Sequence, residues 1–311
     1  MILTVTLNPA IDRSYGIDHF KSGDRYRIFD VTESIGGKGI NVGKVLHQLG
    51  HQVITTGFYG GYNGQRIISY LEQENLPNRF IKIESESRNF CVINDIATNK
   101  ETILNEAGPK ISKDEIEHFL SVYKELIANK ECKWVVIAGS VPQDVPESIY
   151  FDMVSLAKAA GKQVVVDGKP PYINNALVAK PHLIKPNKRE FMDLCSMKEW
   201  NLDKALEMGA YLINRYQVKI LLSLGDQGAI YMDQDVTLRV EFDSIKVVNT
   251  IGSGDAMVAG YLTGVMEGLD IKQVLRKATS FSLSNALQKE IGCINELQIK
   301  QLEKQIRIHK L

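Results

Sequence analysis

Trp134-Val-Val-Ile-Ala138, a stretch of helical period over residues 147–160, and Gln163-Val-Val-Val-Asp167 form one unit that repeats along this chain. The two short runs are β-branched and almost continuously apolar, as strands covered on both faces are. A helix between them makes those strands parallel. From about residue 109 the alternation continues: His182-Leu-Ile-Lys185 and Lys219-Ile-Leu-Leu-Ser223 are further strand candidates, and residues 112–128, 187–195 and 202–216 carry apolar residues at helical spacing. Ser112-Lys-Asp-Glu115 opens the first of these helices as a capping box. The pattern predicts a three-layer α/β/α sandwich around a mostly parallel sheet.

Two segments break the rhythm. Residues 13–34 and 79–106 are polar and alternating, with no helix to cover them, as in Tyr26-Arg-Ile-Phe-Asp-Val31 and Phe90-Cys-Val-Ile-Asn94. They are expected to form a small antiparallel sheet beside the main one. Such a sheet must bury its apolar face on a ligand, on the main body or on a second copy, which points to a lid or a dimer clasp. With no internal repeat or linker, residues 1–311 read as one domain with a lid.

Composition narrows the partners. The 311 residues are 44% hydrophobic and 24% charged, and Lys+Arg and Asp+Glu are both 37, so no broad basic face is offered to nucleic acid or membrane. Met1-Ile-Leu-Thr-Val-Thr-Leu7 reads as a first strand rather than a signal segment, and no apolar run approaches the roughly 20 residues of a membrane span. Cys91, Cys132, Cys195 and Cys293 are far apart and in no metal-binding spacing, nor do the six histidines form one. A reduced, cytoplasmic protein is expected.

Five stretches carry chemistry. Thr250-Ile-Gly-Ser-Gly-Asp255 runs directly into an apolar helix, so glycine-freed amides and the positive helix end converge on one anion site. Asp255 there is either a helix cap or a catalytic carboxylate. Asn8-Pro-Ala-Ile-Asp12 follows the first strand, where open parallel sheets bind ligands; Asp12 is a turn residue or an acceptor for vicinal hydroxyls. Gly36-Gly-Lys-Gly-Ile-Asn41 opens a helix as a second anion-friendly turn without the Walker A spacing. Lys185-Pro-Asn-Lys-Arg-Glu190 starts another helix, with Asn187 and Glu190 placed either as a capping box or as water-mediated holders of Mg²⁺. Ser223-Leu-Gly-Asp-Gln-Gly228 is a tight glycine turn, an ordinary hairpin or a seat for a nucleotide.

In this order and at these spacings, together with Gly139-Ser140, the motifs resemble those of the ribokinase-like, or PfkB, carbohydrate kinases over nearly the whole chain. The opening Thr-Leu-Asn-Pro-Ala-Ile-Asp and the Lys-Pro-Asn-x-x-Glu context look most like the 1-phosphofructokinase and tagatose-6-phosphate kinase branch, whose members phosphorylate a ketohexose phosphate. The resemblance implies ATP and Mg²⁺, with Asp255 as general base and the amides of Gly252, Ser253 and Gly254 on the transferring phosphoryl group. It also implies Asp12, Gly36, Gly37, Asn41 and Ser140 on the sugar, with Lys38, Arg88 and Arg27 as candidates for the sugar's own phosphate. Lys185, Asn187, Glu190, Ser223, Gly225 and Gly228 would line the nucleotide and Mg²⁺ side, with Asn285 near the adenine. Ser253 and Asp167-Gly-Lys-Pro-Pro171 depart from the commoner family pattern.

Two alternatives differ in what the site does. A ribokinase- or nucleoside-kinase-like enzyme would take an uncharged acceptor, which Lys38 and Arg88 argue against. A non-catalytic sugar-phosphate sensor would lack the base, yet Asp255 is present. A dinucleotide oxidoreductase would show Gly-x-Gly-x-x-Gly after the first strand, where Asn8-Pro-Ala-Ile-Asp12 stands instead.

Overall fold

The computed structural model describes residues 1–98 and 100–311. Among these, the main sheet has ten strands, in the order β5 (Ile81–Ile83), β4 (Val53–Gly60), β1 (Ile2–Thr6), β8 (Trp134–Ala138), β9 (Gln163–Asp167), β10 (Leu183–Ile184), β11 (Lys219–Ser223), β12 (Ala229–Met232), β13 (Thr237–Glu241) and β14 (Arg307–Lys310). From β5 to β11 every neighbour is parallel; β12 to β14 add an antiparallel edge.

Side-chain alternation along the buried strands makes two cores. Leu3 and Val5 of β1 face helices α3 (Lys113–Ala128), α4 (Ile149–Ala159), α5 (Tyr172–Val178), α6 (Lys188–Leu194) and α7 (Leu202–Tyr216), through residues such as Phe119, Met153, Ile173, Phe191 and Leu212. Ile2 faces the other way, toward α1 (Lys38–Gln48), α2 (Gly61–Gln73), α8 (Ser253–Met266), α9 (Ile271–Ala286) and α10 (Glu296–Gln305). This is the expected three-layer sandwich. The reciprocal Ser112–Glu115 bonds of the capping box start α3.

Helices α8 and α9 form an antiparallel pair held at close range by glycine. A Cβ at Gly260 would lie 2.8 Å from the Ala278 Cα, and one at Gly264 would lie 3.1 Å from the Val274 Cα. Only a residue without a side chain lets the two backbones approach so closely. No helix among the described residues is long and apolar enough to cross a membrane.

The second sheet has the order β3 (Asp30–Gly36), β2 (Ala10–Ile17), β6 (Arg88–Asp95), β7 (Lys100–Asn105). It is not wholly antiparallel. Its outer pairs are, but β2 and β6 run parallel, because the chain leaves through α1, β4, α2 and β5 and returns in the same direction. The two excursions are also smaller than their sequence suggested. Residues 81–83 join the main sheet, and residues 26–29 stay irregular, since the Tyr26 hydroxyl turns back to accept from the Lys21 amide at 2.7 Å.

Candidate active site

A cavity of about 960 Å³ lies beyond the C-terminal ends of β1, β8, β9, β10 and β11, with Asp12 and Phe90 of the small sheet on its wall. Ligands of open parallel sheets collect at this edge because loops and helix N-termini converge there. The cavity brings together Asp12, Gly37, Lys38, Asn41, Arg88, Ser140, Lys185, Asn187, Ser223, Gly225, Gly228 and the whole Gly252-to-Asp255 turn.

That turn begins with Gly252 at φ 80°, a left-handed conformation that glycine adopts without strain. Asp255 then falls in the first turn of α8 and is buried, and the Asn41 side-chain amide donates to its Oδ2 at 2.8 Å. Burial pushes its carboxyl up to about 7; Lys38 pulls it down and the Asp167 charge adds to the rise. The carboxylate is therefore poised near neutrality.

Behind it lies a chain of buried charges. Asp167 at the end of β9 holds Lys38 through Oδ1 at 2.5 Å and Lys185 through Oδ2 at 3.0 Å. Burial alone would push the Asp167 carboxyl up, but Lys185 and Lys38 override it and keep it below the ordinary carboxylate range. For Lys38, burial opposes the charge, yet Asp167, Glu190 and Asp255 hold it above the usual lysine value. Glu190 reaches Lys38 at 3.3 Å and also closes the capping box with Asn187 that starts α6. Lys185 lies close to the phosphate-friendly turn: a Cβ at Gly254 would sit 3.0 Å from its Nζ.

At the small-sheet end, Asp12 stands over Gly36, where any side chain would collide with its carboxylate. Its carboxyl is pushed up to about 7 by burial, with Arg88 opposing and Asp255 adding. Arg88 donates to the carbonyls of Asn8 at 3.2 Å and Glu106 at 3.4 Å, and to the Asn105 side chain. Among the described residues it has no carboxylate within ion-pair distance, so its charge is free for an anion.

Four expected positions fall elsewhere. Gly36 lies under Asp12 rather than on the cavity wall, and Glu190 lies behind Asn187. Arg27 is exposed, in the irregular stretch before β3. Asn285 is buried, with its side chain bonded to Ile251, Ser253 and Gly292 instead of open to an adenine. Lys38, expected on the sugar's phosphate, lines the cavity and pairs there with Asp167 and Glu190. Sequence reasoning missed Asp167 as the hub of the lysines; a lone Asp at a strand end in this fold was its only signal. It also missed Phe242, Ile245, Val247, Leu283 and Ala286, an apolar wall of the cavity.

The model for pfkB family carbohydrate kinases matches residues 5–294. A tagatose-6-phosphate kinase of Staphylococcus epidermidis is 35% identical over 99% of both chains. A crystal structure from Thermotoga maritima, described as a possible 1-phosphofructokinase, superposes with TM-score 0.88 at 28% identity over 100% of this chain and 99% of that one. Phosphofructokinase-2 of Escherichia coli with fructose 6-phosphate shares the fold, with TM-score 0.86 at 22% identity over 97% and 98% of the two chains. With its Gly252-to-Asp255 turn, its two lysines paired on the buried Asp167 and this match along nearly its full length, the chain belongs to the PfkB family of carbohydrate kinases.

Proposed function

We propose that this kinase transfers the γ-phosphoryl group of ATP to a ketohexose that already carries one phosphate, tagatose 6-phosphate or fructose 1-phosphate, giving the bisphosphate. The observation that carries the reading is the Asp255 carboxylate, buried beside Asn41 at the foot of the cavity and next to the cations Lys38 and Lys185. Asp255 takes the proton of the acceptor hydroxyl as that oxygen forms the new bond to phosphorus and ADP leaves. A base whose pKa lies near the working pH suits that step. The amides of Gly252, Ser253 and Gly254, at the positive end of α8, face the transferring group together with Lys38 and Lys185.

Asp12, Asn41 and Ser140 hold the sugar, with Gly37 allowing a close backbone approach and Gly36 leaving room for the Asp12 carboxylate. Arg88 takes the sugar's existing phosphate, which its unpaired charge supports and which an uncharged acceptor would leave unused. The similarity to a tagatose-6-phosphate kinase and to a possible 1-phosphofructokinase supports a ketohexose phosphate as acceptor. Lys185, Asn187, Ser223, Gly225 and Gly228 form the nucleotide side.

The donor set fits Mg²⁺ carried in on the nucleotide. Asp167 and Glu190 already face ammonium groups, and among the described residues no three His, Cys, Asp or Glu side chains are arranged to hold an ion. Glu190 and Asn187 would hold the ion through its waters. When bound, Mg²⁺ neutralises charge on the phosphate oxygens.

The whole chain acts as one cytoplasmic kinase unit with the small sheet as its lid, and the lid pairs two copies. One face of that sheet carries Tyr15, Ile93, Val31 and Leu104, with Val31 49% and Leu104 57% exposed. Pairing would cover this apolar face.

Asp255→Asn is expected to lower kcat by about 10³-fold in a coupled ADP assay while ATP binding changes less than about threefold. In the unaltered enzyme kcat/KM falls as pH drops through about 7, a limb that belongs to the Asp12–Asp255 pair, and the substitution displaces it. A near-normal rate removes Asp255 as the base. Arg88→Met is expected to raise KM for the sugar phosphate by about tenfold or more and leave KM for ATP nearly unchanged; equal changes in both would count against Arg88 as the phosphate ligand. Sedimentation at micromolar concentration should show a dimer that Leu104→Asp converts to monomer, and a monomeric parent protein would refute lid pairing.

A further inference from the structure

Among the described residues five helix starts are capped by a side chain, Ser112 on α3, Asn187 on α6, Asn201 on α7, Asp270 on α9 and Asn295 on α10, while α1, α2, α4, α5 and α8 have no side-chain cap. The start of α8, the catalytic one, has Gly252 as its N-cap and no side-chain cap. A capping oxygen would occupy the amides that the proposed reaction needs for the phosphoryl group. A loop left without a cap must get its shape from somewhere else.

It gets it from Asn285. The side-chain Nδ2 of Asn285 donates to the Ile251 carbonyl at 2.9 Å and to the Ser253 hydroxyl at 3.4 Å, and its Oδ1 accepts from the Gly292 amide at 3.0 Å. Every polar atom of the side chain is thus committed, and the residue is 1% exposed. Its placement follows from the α8–α9 register. Gly264 meets Val274 and Gly260 meets Ala278, and the same antiparallel register sets Ser253 opposite Asn285. The bond to Gly292 fixes the other side of the turn: a Cβ at Gly252 would lie 2.8 Å from Cγ2 of Ile291. The segment after it is tied to α1, where Gln48 exchanges bonds with both the carbonyl (2.6 Å) and the amide (3.2 Å) of Ile294.

We infer that Asn285 is a positioning residue that clamps the Gly252-to-Asp255 turn from behind, shaping it without using its amides, and that it does not bind the nucleotide. The inference rests on the assignment of this turn to phosphoryl transfer. Removing the clamp lets the turn drift while both binding sites persist, so the loss falls on the chemical step.

The test is steady-state kinetics of Asn285→Ala with MgATP and the sugar phosphate that the parent enzyme turns over, beside Gln288→Ala as control. Gln288 lies three residues on, and among the described residues its side chain donates only to the Ser284 carbonyl and the Gln298 side chain; its backbone amide, which the substitution leaves in place, donates to the Asn285 carbonyl. Asn285→Ala should lower kcat by about tenfold or more with both KM values within about threefold, whereas Gln288→Ala should keep kcat at any matching loss of Tm. Should Asn285→Ala fold poorly, Asn285→Asp retains the volume and the acceptor for Gly292 but loses the donor to Ile251, and the same kcat-only loss is expected. An unchanged kcat overturns the inference, as does a rise in KM confined to ATP, which would make Asn285 a nucleotide contact. A parent enzyme that phosphorylates no sugar phosphate would instead overturn the reading of the reaction.

Discussion

The site depends on one carboxylate, Asp167, which is buried and grips two lysines that come from distant parts of the sequence. Lys38 arrives from the start of α1 and Lys185 from the end of β10. Two ammonium groups would otherwise repel each other in a poorly hydrated place, and removing one partner from such a buried group costs roughly 3–5 kcal/mol. The arrangement brings positive charge to the cavity wall, where the proposed reaction places the transferring phosphoryl group. It also limits the rise of the Asp255 carboxyl, because Lys38 opposes the burial that pushes it up.

Geometry and electrostatics thus share a division of labour. The parallel sheet delivers strand ends, and so Thr6, Ser140, Asp167, Asn187 and Ser223, to one edge. The α8–α9 pair, packed through Gly260 and Gly264, presents an uncapped helix start to the same place. The small sheet adds Asp12 and Arg88, so the cavity lies between two separately supported walls, between which the proposed reaction brings acceptor and donor together.

Much of this was legible in the sequence. β-branched runs at 134–138 and 163–167 fixed parallel strands because only strands buried on both faces tolerate such continuous apolarity. The glycine-rich turns at 36–39 and 252–254 stood out as backbone that packs closely: a Cβ at Gly39 would lie 2.5 Å from the Val5 carbonyl oxygen, and one at Gly252 2.8 Å from Cγ2 of Ile291. What stayed hidden depended on long-range contact. Nothing local to Asp167 tells of two lysines, one of them 129 positions away. Nothing local to Asn285 tells that it faces a loop rather than a ligand. Lys38 read as a candidate for the sugar's phosphate because the resemblance puts its sequence neighbours on the sugar, while its side chain extends to Asp167 and Glu190. The parallel centre of the small sheet was likewise invisible, since it follows from the path taken between its halves.

The central claim is that a phosphorylated ketohexose is the acceptor. It is tested most directly by ³¹P NMR of the enzyme with MgATP and, in separate tubes, tagatose 6-phosphate, fructose 1-phosphate, fructose 6-phosphate and the unphosphorylated sugars tagatose and ribose. The account predicts a second phosphomonoester resonance, in equal amount with ADP, from tagatose 6-phosphate or fructose 1-phosphate, and little from the free sugars. Turnover confined to a free sugar would contradict it.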